Sequence, residues 1–157
     1  VCAQREWTAP DAVVLPLGHG TLFLGAYRGF RTLREAGWID EVPRLLGAQA
    51  AGYAPIVAAL HGRDVAEGDN DVADGIQISE PVRKAQILDA IDATDGDAVA
   101  LPEAAVEDAL DSLHRQGFYT EPTCAVAPAA LEAYRDRGVL APDADVVVPL
   151  TGSGLKS

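Results

Sequence analysis

The sequence predicts an α/β fold with three αβα layers, in which a mostly parallel sheet lies between two layers of helices. Short apolar runs alternate with amphipathic segments along the whole chain, which is typical of strands joined by helical crossovers. Small glycine-containing turns follow the first and the last apolar runs. Hydrophobic residues make up 48% of the 157 residues, which is enough for the core of one domain of ordinary size.

The first half of the chain supplies two strands and two helices. The apolar run AVVLPL (12–17) predicts a buried strand, and apolar residues at helical spacing predict a helix over 21–36. Gly37 can end this helix. The run RLLGAQ (44–49) predicts the second strand, and YAPIVAALHG (53–62) predicts a short helix with proline in its first turn.

A polar, acidic stretch over 62–72 predicts a loop in the middle of the chain. Ser79 is then expected to cap a helix over 81–94, because Pro81 stands just inside its start. The run DAVALP (97–102) predicts the third strand.

The last part of the chain continues the alternation. Helical periodicity predicts helices over 102–117 and 125–138, with a brief extended segment, GFYTEP, between them at 117–122. The apolar run ADVVVPL (144–150) predicts the last strand.

The charge balance excludes one class of partner. The chain carries 24 acidic and 12 basic residues, a net charge of −12, and it has no basic stripe that could neutralise phosphates. Nucleic acid is therefore not an expected partner. No apolar run approaches the roughly 20 residues that span a bilayer, so no membrane partner is expected, and a cytoplasmic location is predicted.

The acidic residues are dispersed, and only two of the basic residues are lysines. This pattern is typical of proteins from a high-salt cytoplasm, where ions screen self-repulsion, although an ordinary acidic protein remains the alternative. Cys2 and Cys124 lie far apart without a Cys/His cluster, so two free, reduced thiols are expected and a metal site is not.

Two glycine loops are the candidate binding elements. Residues 18–21 (GHGT) and 151–154 (TGSG) each follow a strand, and ligands bind at the carboxyl ends of strands in such sheets. The first loop opens directly onto a helix, whose free N–H groups and dipole favour a phosphate. Ordinary turn glycines are the alternative. A dinucleotide fingerprint is excluded because Phe23 stands where glycine is needed, and Leu155 excludes a nucleoside-triphosphate loop.

The segment LPLGHGTLFLGAYRGF (15–30) resembles the phosphate loop of the pyridoxal-phosphate enzymes of fold type II, the tryptophan synthase β-like superfamily. Further motifs follow in the order that is usual for this superfamily. They are GAQAAGYAPI (47–56), ADGI (73–76), EPT with small residues (121–125) and LTGSGLK (150–156). The last motif is most similar to the threonine synthases, although Ser157 stands where they carry aspartate.

The resemblance implies pyridoxal 5'-phosphate as the cofactor and assigns residues to its two polar ends. The residues expected to bind its phosphate are Gly18, His19, Gly20, Thr21 and Leu22. Thr151 would offer its hydroxyl to the pyridine nitrogen, a neutral partner that suits elimination and replacement chemistry better than transamination. His19 departs from the usual Asn or Ser, but the expected contacts there are backbone N–H groups.

The resemblance also implies that parts of the enzyme are not in this sequence. The family's Schiff-base lysine and its substrate-carboxylate loop have no counterpart, since neither Lys84 nor Lys156 lies in a matching motif. Residues 1–157 are therefore expected to be the C-terminal portion of the catalytic domain, which would show no turnover alone.

The resemblance implies that the full-length protein is a threonine synthase. It would act on a small amino-acid substrate, and it is a possible homodimer. This enzyme converts O-phosphohomoserine and water to threonine and phosphate. A serine/threonine dehydratase or another β-replacement enzyme is the alternative within the superfamily. A non-catalytic phosphate-binding α/β module and a regulatory relative are the alternatives outside enzyme chemistry.

Overall fold

A computed structural model describes residues 1–156, so the departure at Ser157 lies outside the described residues. These residues form one four-stranded sheet in the order β3-β2-β1-β4, and every pairing within it is parallel. The strands are β1 (Ala12–Pro16), β2 (Arg44–Ala50), β3 (Asp97–Leu101) and β4 (Val146–Val147). All four predicted strands are present, and the parallel sheet is confirmed.

The last strand is much shorter than the predicted range of 144–150. It lies at an edge of the sheet and pairs with Ala12 and Val13 of β1. Pro149 follows shortly after it and has no N–H to donate, so the run does not extend the ladder.

Within residues 1–156, five α-helices cover the two faces of the sheet, which confirms the three layers. The helices are α1 (Thr21–Glu35), α2 (Pro55–Leu60), α3 (Lys84–Ala93), α4 (Glu103–Arg115) and α5 (Val126–Asp136). The first three pack on one face in a core that includes Val13 and Leu15, and the last two pack on the other face against Val14 and Leu46. Burial on both faces explains why the strands are continuous apolar runs. Within residues 1–156, no helix has the length and apolar character to cross a lipid bilayer.

The predicted start of the third helix is wrong. The helix begins at Lys84 rather than at Pro81, and its N-cap is Arg83, with no side-chain capping bond. The N–H of Lys84 donates to the carbonyl oxygen of Pro81 at 3.1 Å, because residues 81–83 form a turn. Ser79 therefore lies outside the helix and does not cap it.

A buried tyrosine connects α5 to the centre of the sheet. The Tyr134 hydroxyl donates to the carbonyl oxygen of Gly47 in β2 at 2.7 Å. Burial raises the pKa of the Tyr134 phenol, so the group stays neutral and remains a donor. Gly47 is close-packed from the opposite side, since a Cβ there would lie 2.8 Å from Leu17 Cδ2.

Candidate functional site

The two glycine loops lie at the same edge of the sheet. Strand β1 neighbours both β2 and β4 in parallel, so residues 18–21 after β1 and residues 151–154 after β4 follow carboxyl ends of adjacent strands. The chain leaves β1 towards β2 on one side and returns to β4 on the other side. Ligands bind at such a switch point in open α/β sheets.

The first loop presents backbone donors at the start of α1. Gly20 is the N-cap with φ +83°, and the first helical hydrogen bond runs from the N–H of Leu24 to its carbonyl oxygen. The N–H groups of residues 20–23 therefore have no intrahelical partner, and within residues 1–156 no side chain caps the helix. Thr21 and Leu22 are the first two helical residues and both are exposed, as is His19. Gly18, two residues after the end of β1, is half-buried. This part of the chain can therefore receive an anion through its amides and the helix dipole.

The two glycines of this loop are enclosed by side chains from distant segments. A Cβ at Gly20 would lie 2.4 Å from Ile87 Cδ1, and a Cβ at Gly18 would lie 3.3 Å from Ile76 Cγ2. The backbone of Gly20 is also in the left-handed region, where side chains are strained. Gly20 is thus required both by its conformation and by the packing of α3 beneath the loop.

Arg83 reaches the loop from the start of α3. Its Nη1 donates to Thr21 Oγ1 at 3.2 Å, and both side chains are exposed. Sequence reasoning did not identify this residue, because the two partners are 62 positions apart and no motif contains Arg83.

The second loop is held by a buried cysteine. The side chain of Cys124 is fully buried, its Sγ accepts a hydrogen bond from the Gly152 N–H at 2.9 Å, and it lies 3.4 Å from Thr151 Oγ1. Cys2 and Cys124 are both free, as predicted, but Cys124 also fixes the loop that presents the Thr151 hydroxyl. The feature of the sequence that could have indicated this role is the position of Cys124 directly after the EPT motif.

The motifs between the two loops form a continuous set of contacts. The turn Asp74–Ile76 touches the first loop through Ile76, and a Cβ at Gly75 would lie 2.9 Å from Thr123 Oγ1. The neighbouring Thr120 pairs with Ser153 of the second loop in an isolated antiparallel bridge. Motifs that are distant in sequence therefore meet at one edge of the sheet.

The GAQAAGYAPI motif supports the first loop from inside the core. The Gln49 side chain is fully buried, and its Nε2 donates to the carbonyl oxygen of Leu17 at 3.2 Å. Its Oε1 accepts from the N–H groups of Ile56 and Val57 at 3.0 and 3.1 Å, so it caps the start of α2. One amide side chain therefore joins the residue that precedes the loop to a neighbouring helix.

The chain is similar to known proteins over nearly its whole length. It is 34% identical to threonine synthase of Methanocaldococcus jannaschii over 161 aligned residues, which cover 99% of this chain and 40% of that protein. The structure resembles a crystallised T.th. threonine deaminase with a TM-score of 0.72 at 25% identity, over 96% of this chain and 46% of that one. It resembles a fungal L-serine ammonia-lyase from Rhizomucor miehei with a TM-score of 0.68 at 26% identity, over 97% and 48% of the two chains.

The chain thus spans about 40% of the length of its curated relative and just under half of the solved chains. The family model for pyridoxal-phosphate dependent enzymes matches residues 1–152. The chain therefore belongs to the pyridoxal-phosphate dependent enzyme family.

Proposed function

We propose that residues 1–157 are the C-terminal portion of a threonine synthase, which converts O-phosphohomoserine and water to threonine and phosphate. The observation that carries the proposal is that an uncapped helix N-terminus and the loop with the Thr151 hydroxyl follow the carboxyl ends of adjacent parallel strands. The similarity to threonine synthase over 99% of the chain supports this choice of substrate.

The residues present fit the two polar ends of pyridoxal phosphate. The free N–H groups after Gly20 and the positive end of α1 suit the phosphate, and the exposed hydroxyl of Thr151 suits the pyridine nitrogen. The proposed phosphate ligands are the amides of Gly18, His19, Gly20, Thr21 and Leu22. When bound, the cofactor supplies an electron sink for elimination and replacement. The chain's own contribution is to hold both ends and to keep a neutral hydroxyl at the ring nitrogen.

The lysine that would anchor the cofactor covalently is proposed to lie outside residues 1–157. Lys84 is exposed at the first position of α3, and Lys156 follows the second loop outside any lysine motif of the family. Because the chain spans about 40% of the length of its relative, the anchoring lysine and the substrate-carboxylate loop have room elsewhere.

The experiment that tests the proposal assays the full-length protein with two kinds of substrate. Release of inorganic phosphate from O-phosphohomoserine, with formation of threonine, is the expected result. Formation of ammonia and a 2-oxo acid from serine or threonine would instead support a dehydratase, the second candidate, which the similarity to threonine deaminase and L-serine ammonia-lyase favours. Binding of pyridoxal phosphate without either reaction would contradict both and favour a non-catalytic module.

Replacing Thr151 by valine in the full-length protein is expected to lower kcat and cofactor affinity by about tenfold each, because one hydrogen bond to the ring is lost. Steady-state kinetics and an absorbance titration with pyridoxal phosphate measure the two effects. Ser153→Ala is the matched control, since it removes a hydroxyl from the same loop. The Ser153 hydroxyl accepts a hydrogen bond from the N–H of Leu155 at 3.3 Å. Equal effects of the two substitutions would contradict the role of Thr151.

We further propose that the protein is adapted to a high-salt cytoplasm. The net charge of −12 and the scarcity of lysine support the adaptation to salt, because screening is then needed to limit self-repulsion. Circular dichroism of the full-length protein is expected to show unfolding as potassium chloride is dialysed away. Retention of the native spectrum at low salt would contradict the adaptation.

A further inference from the structure

The start of α3 lies directly against the first glycine loop. Ile87 of this helix is the side chain that a Cβ at Gly20 would meet at 2.4 Å, and the Nη1 of Arg83 donates to Thr21 Oγ1 at 3.2 Å. The N-termini of α1 and α3 therefore meet at the loop, and the guanidinium of Arg83 lies between them.

This arrangement concentrates positive charge in an otherwise acidic protein. Neither helix has an acidic residue in its first turn or a side-chain cap, although carboxylates are the residues that stabilise such ends. Arg83 and Lys84 instead place two cations at the start of α3, where cations are unfavourable. Among residues 1–156, no carboxylate forms a salt bridge with Arg83. The charge at the start of α3 therefore favours an anion at this point.

We propose that Arg83 is a ligand for a phosphomonoester dianion at the mouth of the loop, with the cofactor phosphate as the favoured source. The inference rests on the proposed function and adds a residue that the amide cradle does not include. A guanidinium carries five N–H donors, and the bond to Thr21 uses one of them. Four donors remain, and they include a parallel pair that can bind two phosphate oxygens. The amides bind the phosphate from the helix end, and Arg83 binds it from the side.

The test compares Arg83→Gln with Arg28→Gln in the full-length protein. Arg28 is the matched control because its Nη2 donates to Gln86 Oε1 at 3.5 Å, also between α1 and α3. It lies seven residues beyond Thr21, about 10 Å along the helix. The expected result is a Kd for pyridoxal phosphate that rises about tenfold or more in Arg83→Gln. In the same variant the Kd for pyridoxal, which has no phosphate, stays unchanged.

Inhibition of the holoenzyme by inorganic phosphate distinguishes the two sources of the dianion. Weaker inhibition in Arg83→Gln with an unchanged cofactor Kd would assign Arg83 to the phosphate of the substrate. The inference would be overturned if Arg83→Gln changed neither the cofactor Kd nor the inhibition by phosphate. It would also be overturned if the variant lost affinity for pyridoxal and for pyridoxal phosphate by the same factor.

Failure of the inference is distinguishable from failure of the proposed function. If Gly20→Asp abolishes cofactor binding while Arg83→Gln has no effect, the amide cradle stands and only the role of Arg83 is wrong. If neither substitution affects binding, the loop itself is not the phosphate site.

Discussion

Replacing Gly20 by aspartate is expected to abolish binding of pyridoxal phosphate by the full-length protein, raising the Kd by about 100-fold or more. The new side chain would enter a position with φ +83°, and its Cβ would lie 2.4 Å from Ile87 Cδ1 and 2.7 Å from Ile87 Cγ1. Its carboxylate would stand at the N-cap of α1, where it can accept hydrogen bonds from the same amides that are proposed to bind the phosphate. Two negative groups then compete for one set of donors.

Gly25→Asp is the matched control for this substitution. Gly25 is exposed on α1, and a Cβ there meets no atom within 4 Å, so the same residue type and charge change are introduced without contact. The Kd of the Gly25→Asp variant for pyridoxal phosphate, measured by absorbance titration, is expected to stay within about twofold of the wild type. Residue 25 lies beyond the first turn of α1, where the effect of the helix dipole has fallen off. Wild-type affinity in Gly20→Asp would contradict the assignment of the loop.

Much of the fold was predictable from the sequence, because a strand that is buried on both faces has a continuous run of apolar residues. The strands 12–17, 44–49 and 97–102 were placed within two residues of their ends by this signal alone. The fourth strand was predicted too long, because the length of an edge strand depends on how many residues of its single neighbouring strand it pairs with. The false cap at Ser79 has a similar cause, as a turn and a first helical turn share the same sequence signals.

The position of the two glycine loops was predictable, and the contacts that hold them were less so. Parallel strands place both glycine loops at one edge, which the order of strands and helices already implied. The contact of Arg83 with Thr21 and that of Cys124 with Thr151 join residues 62 and 27 positions apart. Such pairs are fixed by how helices pack on the sheet, and single-sequence periodicity contains no information about them.

Gln49 shows how a motif that resembles a binding element can act through the core. It is fully buried in β2, and its amide makes three hydrogen bonds to backbone groups of residues 17, 56 and 57. The bond to Leu17 holds the backbone immediately before Gly18, so the position of the first glycine loop depends on a buried side chain of β2. The sequence indicated the motif, but only the structure shows which groups the side chain satisfies.

Replacing Gln49 by leucine is expected to lower the free energy of unfolding of the full-length protein by about 3 kcal/mol or more. Leucine has a similar volume but leaves the N–H groups of Ile56 and Val57 and the carbonyl oxygen of Leu17 without their partners. Each buried polar group that loses its partner costs about 1–3 kcal/mol. Urea denaturation followed by circular dichroism measures the change.

Gln116→Leu is the matched control, because this side chain is exposed and its Nε2 donates to Ser112 Oγ at 3.1 Å. The control is expected to change the free energy of unfolding by no more than about 0.5 kcal/mol. Gln49→Leu is also expected to weaken pyridoxal phosphate binding, because the strand end before Gly18 loses its anchor, whereas Gln116→Leu is not. A Gln49→Leu protein with the stability of Gln116→Leu would show that the three buried hydrogen bonds do not hold the loop in solution.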